Sequence, residues 1–173
     1  MGPIVKLRGE SLDADDSSVV AGMSDRDFTV DGGLAATYAS PNVGVLAGSF
    51  QTDLTGKHKG QEFRFEYMWP FLDAFGNENL IIAPSAGASW RTTLLNDYYY
   101  SIRPAEVTAT RPAYKSGSDA NVFAGVKALY RINEKWSCLG FVQSEWLGSE
   151  ITDSPVVDQD YRLTALVGAV YRF

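Results

Sequence analysis

Tyr161-Arg-Leu-Thr-Ala-Leu-Val-Gly-Ala-Val-Tyr-Arg-Phe173 is the stretch on which the fold turns. Its odd positions are Tyr161, Leu163, Ala165, Val167, Ala169, Tyr171 and Phe173, apolar throughout and aromatic at both ends. Its even positions carry Arg162, Thr164, Gly168 and Arg172 around Leu166 and Val170. Side chains of a strand point alternately to its two faces, so a period of two predicts a strand with one apolar and one charged face. A helix would need its apolar residues three and four apart.

The same alternation recurs upstream. In 122–132, Val122, Ala124, Val126, Ala128, Tyr130 and Ile132 oppose Lys127 and Arg131. In 61–71, Phe63, Phe65, Tyr67, Trp69 and Phe71 oppose Glu62, Arg64 and Glu66. Segments 80–91, 27–38 and 136–146 follow the pattern, and 3–9 and 43–54 follow it more weakly, which makes eight strand candidates with 161–173. Helical periodicity is scarce, because Gly and Ser interrupt the apolar segments and β-branched and aromatic residues fill the rest. The connections 40–42, 73–79 and 133–135 are short, 55–60 is intermediate, and 10–26, 92–120 and 148–159 are long. Short turns at one end and long loops at the other are the layout of an outer-membrane barrel.

Composition bounds the alternatives. The chain has 173 residues, 45% hydrophobic and 21% charged, with a formal charge of −6. That length predicts one domain over 1–173. The acidic balance speaks against nucleic acid as a partner. Cys138 is the single cysteine, so neither an intrachain disulfide nor a cysteine-based zinc cluster can form. No run approaches the ~18 apolar residues of a spanning helix. Met1 to Arg8 lacks the basic and apolar regions of a secretory leader.

Alternation alone fits both a soluble barrel with its apolar face inward and a membrane barrel with its apolar face outward. Three details favour the membrane. Aromatics stand at strand ends: Trp136 and Trp146 share a face ten residues apart, about 25 Å along the membrane normal at a tilt of ~40°. Trp69, Trp90, Tyr161, Tyr171 and Phe173 complete the expected aromatic girdle. The chain closes on Tyr171-Arg172-Phe173, similar to the terminal signal read by the barrel assembly machinery. Charges fall mid-strand on the other face, where Lys6, Arg8, Arg64, Arg91, Lys127, Arg131, Arg162 and Arg172 would meet Asp27, Asp31, Glu62, Glu66, Glu145 and Asp160. With both signs present, a salt-bridged interior is expected rather than a strongly selective pore.

The last fifty residues also resemble a known family. Asn121-Val-Phe-Ala-Gly-Val-Lys-Ala-Leu-Tyr-Arg-Ile-Asn-Glu-Lys-Trp136, the loop Leu147-Gly-Ser-Glu-Ile-Thr-Asp-Ser-Pro-Val-Val157 and the ending Val170-Tyr-Arg-Phe173 are similar to the MipA/OmpV family of outer-membrane proteins. Asp97-Tyr-Tyr-Tyr-Ser-Ile102 looks like the family's Tyr-Tyr-Gly-Val segment, with Tyr100 and Ser101 where Tyr-Gly is usual. Gly2-Pro3, Arg8 and Gly22 resemble an internal stretch of family members. The resemblance implies a chain that begins after the family's leader and first strands, a part of a 10–12-stranded barrel. It also implies a protein of the Gram-negative cell outer membrane, without catalytic activity or cofactor. Expected partners are outer-membrane lipid, the barrel assembly machinery, and the murein transglycosylase and penicillin-binding murein synthase that a family scaffold joins; a small porin is the other family role.

Few residues suggest chemistry. His58, the single histidine, lies between Lys57 and Lys59. It reads as a solvated loop residue, against the alternative of a base in an outer-membrane lipid hydrolase. Glu62 and Glu66 flank Arg64, and charge pairing is favoured over paired-carboxylate glycoside hydrolysis. Glu10, Asp13, Asp15 and Asp16 lack EF-hand spacing, so a solvated acidic loop is favoured over calcium. Tyr98, Tyr99 and Tyr100 are expected to pack over the barrel mouth. Asp153-Ser154-Pro155 reads as a turn, and Cys138 as a small apolar residue. No catalytic, cofactor or metal site is expected. The predicted fold is an all-β, antiparallel, up-and-down transmembrane barrel, with a soluble lipocalin-like barrel binding an apolar ligand as the alternative.

Overall fold

A computed structural model describes residues 1–9 and 21–172. Eight strands follow in chain order: β1 (Gly2–Arg8), β2 (Thr29–Ser40), β3 (Gly44–Asp53), β4 (Gln61–Met68), β5 (Leu80–Arg91), β6 (Asp119–Arg131), β7 (Trp136–Trp146) and β8 (Tyr161–Tyr171). Each pairs antiparallel with its neighbour in sequence, giving one sheet ordered β1 to β8. The sheet curls into a half-barrel with β1 and β8 as its edges. No described helix is long and apolar enough to cross a membrane.

The two faces are inverted relative to a water-soluble sheet. Eight apolar residues and nineteen polar or charged ones are buried among the described residues, and the strands contribute Arg8, Asp31, Glu62, Arg91, Asn121 and Glu145 to the second group. The convex face exposes Val5, Leu34, Phe63, Phe65, Trp90, Val126, Val142, Leu163 and Val167. So broad an apolar surface exceeds what a soluble monomer leaves to water. A lipocalin-like interior, which needs the apolar face inward, is therefore not what these strands build.

Apolar burial is found instead in the loops at one end. α1 (Thr93–Tyr100) and α2 (Ser149–Thr152) bring Leu95, Tyr99, Tyr100 and Ile151 into one cluster, with Tyr98, Leu147 and Val157 packed against it. Both helices lie within the long connections 92–120 and 148–159. Three consecutive tyrosines are poor helix formers. The helix forms because Leu95, Asn96, Tyr99 and Tyr100 then share one buried face. The Thr92 carbonyl starts it by accepting the N–H groups of Leu95 and Asn96. Gly60, in the β3–β4 loop, makes the docking possible, since a Cβ there would lie 2.4 Å from the Leu95 nitrogen.

Leu95 is fully buried at the centre of this cap. Leu95→Ala should cost about 2–5 kcal/mol. The expected outcome is a lower temperature for the heat-modifiable gel transition, with the β-sheet circular dichroism unchanged below it.

Candidate functional site

The chemistry-bearing residues gather on the concave face. Glu62 on β4 is the meeting point of three cations. Lys6 Nζ lies 2.9 Å from its Oε1, Arg8 Nη2 2.5 Å from its Oε2, and Arg91 Nε 3.8 Å from its Oε2. Arg8 also donates from Nε to Asp31 Oδ2 at 2.6 Å. Strand pairing explains the convergence: Lys6 stands opposite Asp31, and Glu62 opposite Arg91. A buried charge is tolerated when an opposite charge and hydrogen bonds replace its lost water.

A second group lies farther along the face. Lys127 Nζ is 2.8 Å from Glu66, and Glu145 accepts from Asn121 Nδ2 at 3.1 Å and Ser89 Oγ at 3.4 Å, with Arg162 Nη1 4.0 Å away. Arg64 is different. Its guanidinium lies 3.5 Å over the Phe123 ring and donates from Nη2 to Gln143 at 2.7 Å. Phe123 has room because Gly87, its cross-strand partner, has no side chain. At the capped end, Arg91 and Arg162 both donate to the Tyr100 hydroxyl at 3.3 Å, and Tyr99 and Thr29 share a hydrogen bond of 2.7 Å.

Five expectations need correction, two of them at the ends of β8: Asp160 precedes that strand and Arg172 follows it, and both stand exposed rather than inside. His58 is not solvated: it is 3% exposed, with Nε2 2.9 Å from Asp31 and Nδ1 accepting the Gly60 N–H at 3.0 Å. The tight turn folds the ring inward, and both nitrogens are engaged, so neither is placed to take a proton from a nucleophile. Asp27 is not an interior charge; it precedes β2, is exposed, and pairs with Lys57. Arg131 lies on the concave-face side of β6 but stands exposed at the short-turn rim, because β6 runs past the charged belt. Asp31, Asp53 and His58 form a cluster with the spacing of a metal site. Its acceptors are already used: Asp53 takes the N–H groups of Thr55, His58 and Lys59, and Asp31 takes Arg8. The cluster locks a turn.

The aromatic residues of the expected girdle stand on the convex face, near the two ends of the strands. Trp136 pairs with Tyr171 across β7 and β8, rings 4.8 Å apart, and Trp146 stands opposite Tyr161. Trp90 stands opposite Phe63, and Trp69 follows β4. Each of these tryptophans is more than a third exposed. Phe173 and the acidic group of Glu10, Asp13, Asp15 and Asp16 lie outside the described residues.

Sequence reasoning missed a loop ion pair. Arg26 holds Glu106 through two hydrogen bonds of 3.1 and 3.0 Å, and the carboxylate also accepts the N–H groups of Ser24 and Arg103. Arg111 binds the Glu106 carbonyl. No periodic pattern connects positions eighty residues apart in loops. Burial alone would raise the Glu106 pKa, but the Arg26 hydrogen bonds, the two backbone donors and the Arg26 charge together lower it to about 2. A depressed carboxylate pKa contributes stability above the unfolded value of 4.5, and this is lost as pH falls toward 2. Amide exchange at Ser24 and Arg103 should therefore quicken across that window, and Glu106→Gln should abolish the pH dependence. Separately, Glu62→Gln leaves three cations facing a neutral group and should destabilise the sheet by about 3–5 kcal/mol, measured by urea unfolding in detergent.

Comparison with known proteins is consistent in kind. The family described as "MltA-interacting protein MipA" matches residues 1–173. Outer membrane protein OmpV of Vibrio cholerae is 34% identical over the whole chain, which covers 65% of OmpV. Outer membrane protein Omp26La of Vibrio anguillarum is 32% identical over the whole chain, again 65% of that protein. The MltA-interacting protein of Escherichia coli K12 is 27% identical over 94% of the chain and 59% of its own length. The chain thus spans just under two thirds of the curated relatives it matches. No solved structure matches it.

Proposed function

This chain belongs to the MipA family of outer-membrane proteins, and from that premise we propose that it is a non-enzymatic barrel scaffold for murein enzymes. The observation that carries this reading is the contrast between the two ends of the sheet. One end is covered by α1, α2 and the loops around them. The other ends in short turns and leaves Arg131, Lys135 and Arg172 around a cleft of about 460 Å³, with Glu134 as its acidic member. Short turns face the periplasm in outer-membrane barrels, and a basic rim on that side supports a contact with the murein enzymes that work there. The convex aromatics Trp69, Trp136 and Tyr171 at that end, and Trp90, Trp146 and Tyr161 at the other, would sit at the two membrane interfaces.

The name of the Escherichia coli relative supplies the partner to test, the transglycosylase MltA. An acidic surface on that partner would meet Arg131, Lys135 and Arg172. The absence of a free nitrogen on His58 removes the support for a lipid hydrolase, and the charge pairs across the concave face speak against a wide pore.

MltA should co-elute with the detergent-solubilised chain, and the combined variant Arg131→Glu, Lys135→Glu, Arg172→Glu should weaken the complex at least tenfold, about 1.4 kcal/mol. Failure of the unmodified chain to bind MltA would sink the scaffold reading. Large, stable channels in planar bilayers would favour the porin role instead. His58→Ala should leave phospholipid and lipid A products unchanged.

A further inference from the structure

A cavity of about 780 Å³ opens on the concave face between β1 to β5 and β7 to β8. Its wall carries five basic side chains, Lys6, Arg8, Arg64, Arg91 and Arg162, and two carboxylates, Glu66 and Glu145. Four of these cations are already paired, Lys6, Arg8 and Arg91 with Glu62 and Arg162 with Glu145, which leaves Arg64 as the charge open to an anion. The carboxylates are occupied: Glu66 is bound by Lys127, and Glu145 by Asn121, Ser89 and Arg162.

Of the five basic side chains of the wall, Arg64 is the one with no carboxylate within salt-bridge distance among the described residues; its partners are the Phe123 face and the Gln143 side-chain carbonyl. Stacking fixes the guanidinium plane, and one hydrogen bond leaves its remaining donors for the cavity. Ser49 and Ser89 flank Arg64 on the paired strands. The Ser49 oxygen accepts from Gln51 Nε2 at 2.9 Å, so its own hydroxyl proton remains to be donated. Gln51 Oε1, in a side chain 3% exposed, is a buried acceptor with no hydrogen-bond partner. The wall therefore offers a planar cation and a hydroxyl donor beside an unmet acceptor. A hydrogen phosphate group answers all three, since its anionic oxygens accept from Arg64 and Ser49 while its P–OH donates to Gln51.

We propose that this cavity binds a soluble solute bearing a phosphate group, with Arg64 as the anchoring cation and Ser49, Gln51 and Gln143 as orienting groups. The site lies on the face opposite the apolar surface, so the phosphate comes from solution rather than from a lipid headgroup. The assignment is independent of the scaffold role, because it is read on the chain alone.

The test is titration of the detergent-folded chain with inorganic phosphate and with glucose 1-phosphate, followed by phosphorus NMR line broadening. Both should bind saturably. Arg64→Gln should weaken binding at least about tenfold, the scale of a charge-assisted hydrogen bond. Arg64→Lys should recover part of the loss, and Ser49→Asp, which sets a carboxylate opposite Arg64, should abolish binding. Gel migration before and after heating establishes that each variant is folded. Lys115→Gln, in an exposed loop, should bind as the unmodified chain does. Three results would overturn the proposal: no saturable binding by the unmodified chain, equal losses in Arg64→Gln and Lys115→Gln, or displacement of glucose 1-phosphate by phosphatidic acid in the micelle.

Discussion

Glu62 is the point on which the sheet depends. A strand that turns its apolar side outward must bring its polar side into the concave interior, where water is scarce and unpaired charge is expensive. Glu62 answers for β1 and β5 together, binding Lys6 and Arg8 from one and approaching Arg91 on the other. Asp31 extends the same system to β2 and, through His58, to the turn between β3 and β4. Five segments are thus registered by one connected set of charges. In a soluble domain an apolar core would do this work, but here the apolar residues face the other way.

The cap follows from the same inversion. Hydrophobic burial, confined to Phe123 on the concave strand positions among the described residues, reappears in the loops. Leu95, Tyr99, Tyr100 and Ile151 make a small core above the charged belt, joined to it by hydroxyl groups. Tyr99 reaches Thr29, and Tyr100 receives Arg91 and Arg162. Tyrosine suits this boundary because its ring packs in the cap while its hydroxyl meets the charges below.

Much of this was legible in the sequence. The period-two pattern located all eight strands, because burial on one face constrains every second residue. It also separated the polar side, Glu62, Arg64, Glu66, Arg91, Lys127, Glu145 and Arg162, from the apolar side, Trp90, Trp136, Trp146, Tyr161 and Tyr171. The residues it misplaced lie where that constraint lapses. His58 and Asp27 are in loops, and Arg131 is at the end of a strand. α1 escaped notice because its helix is imposed by docking rather than by local propensity. Phe123 is instructive: an aromatic among polar positions, opposite Gly87, was a visible irregularity in the alternation, and it supports Arg64.

The Tyr100 hydroxyl bears on the order of events in folding. It accepts from Arg91, nine residues away, and from Arg162, sixty-two residues away on the final strand. The first contact is available as soon as β5 and α1 have formed. The second must wait until β6, β7 and β8 have added to the sheet, since long-range pairings close late. Completion of the cap is thus timed by the arrival of β8. Until β8 has docked, the Tyr100 hydroxyl lacks its Arg162 donor, so the packing of the cap reports on the pairing of a strand sixty-two residues away.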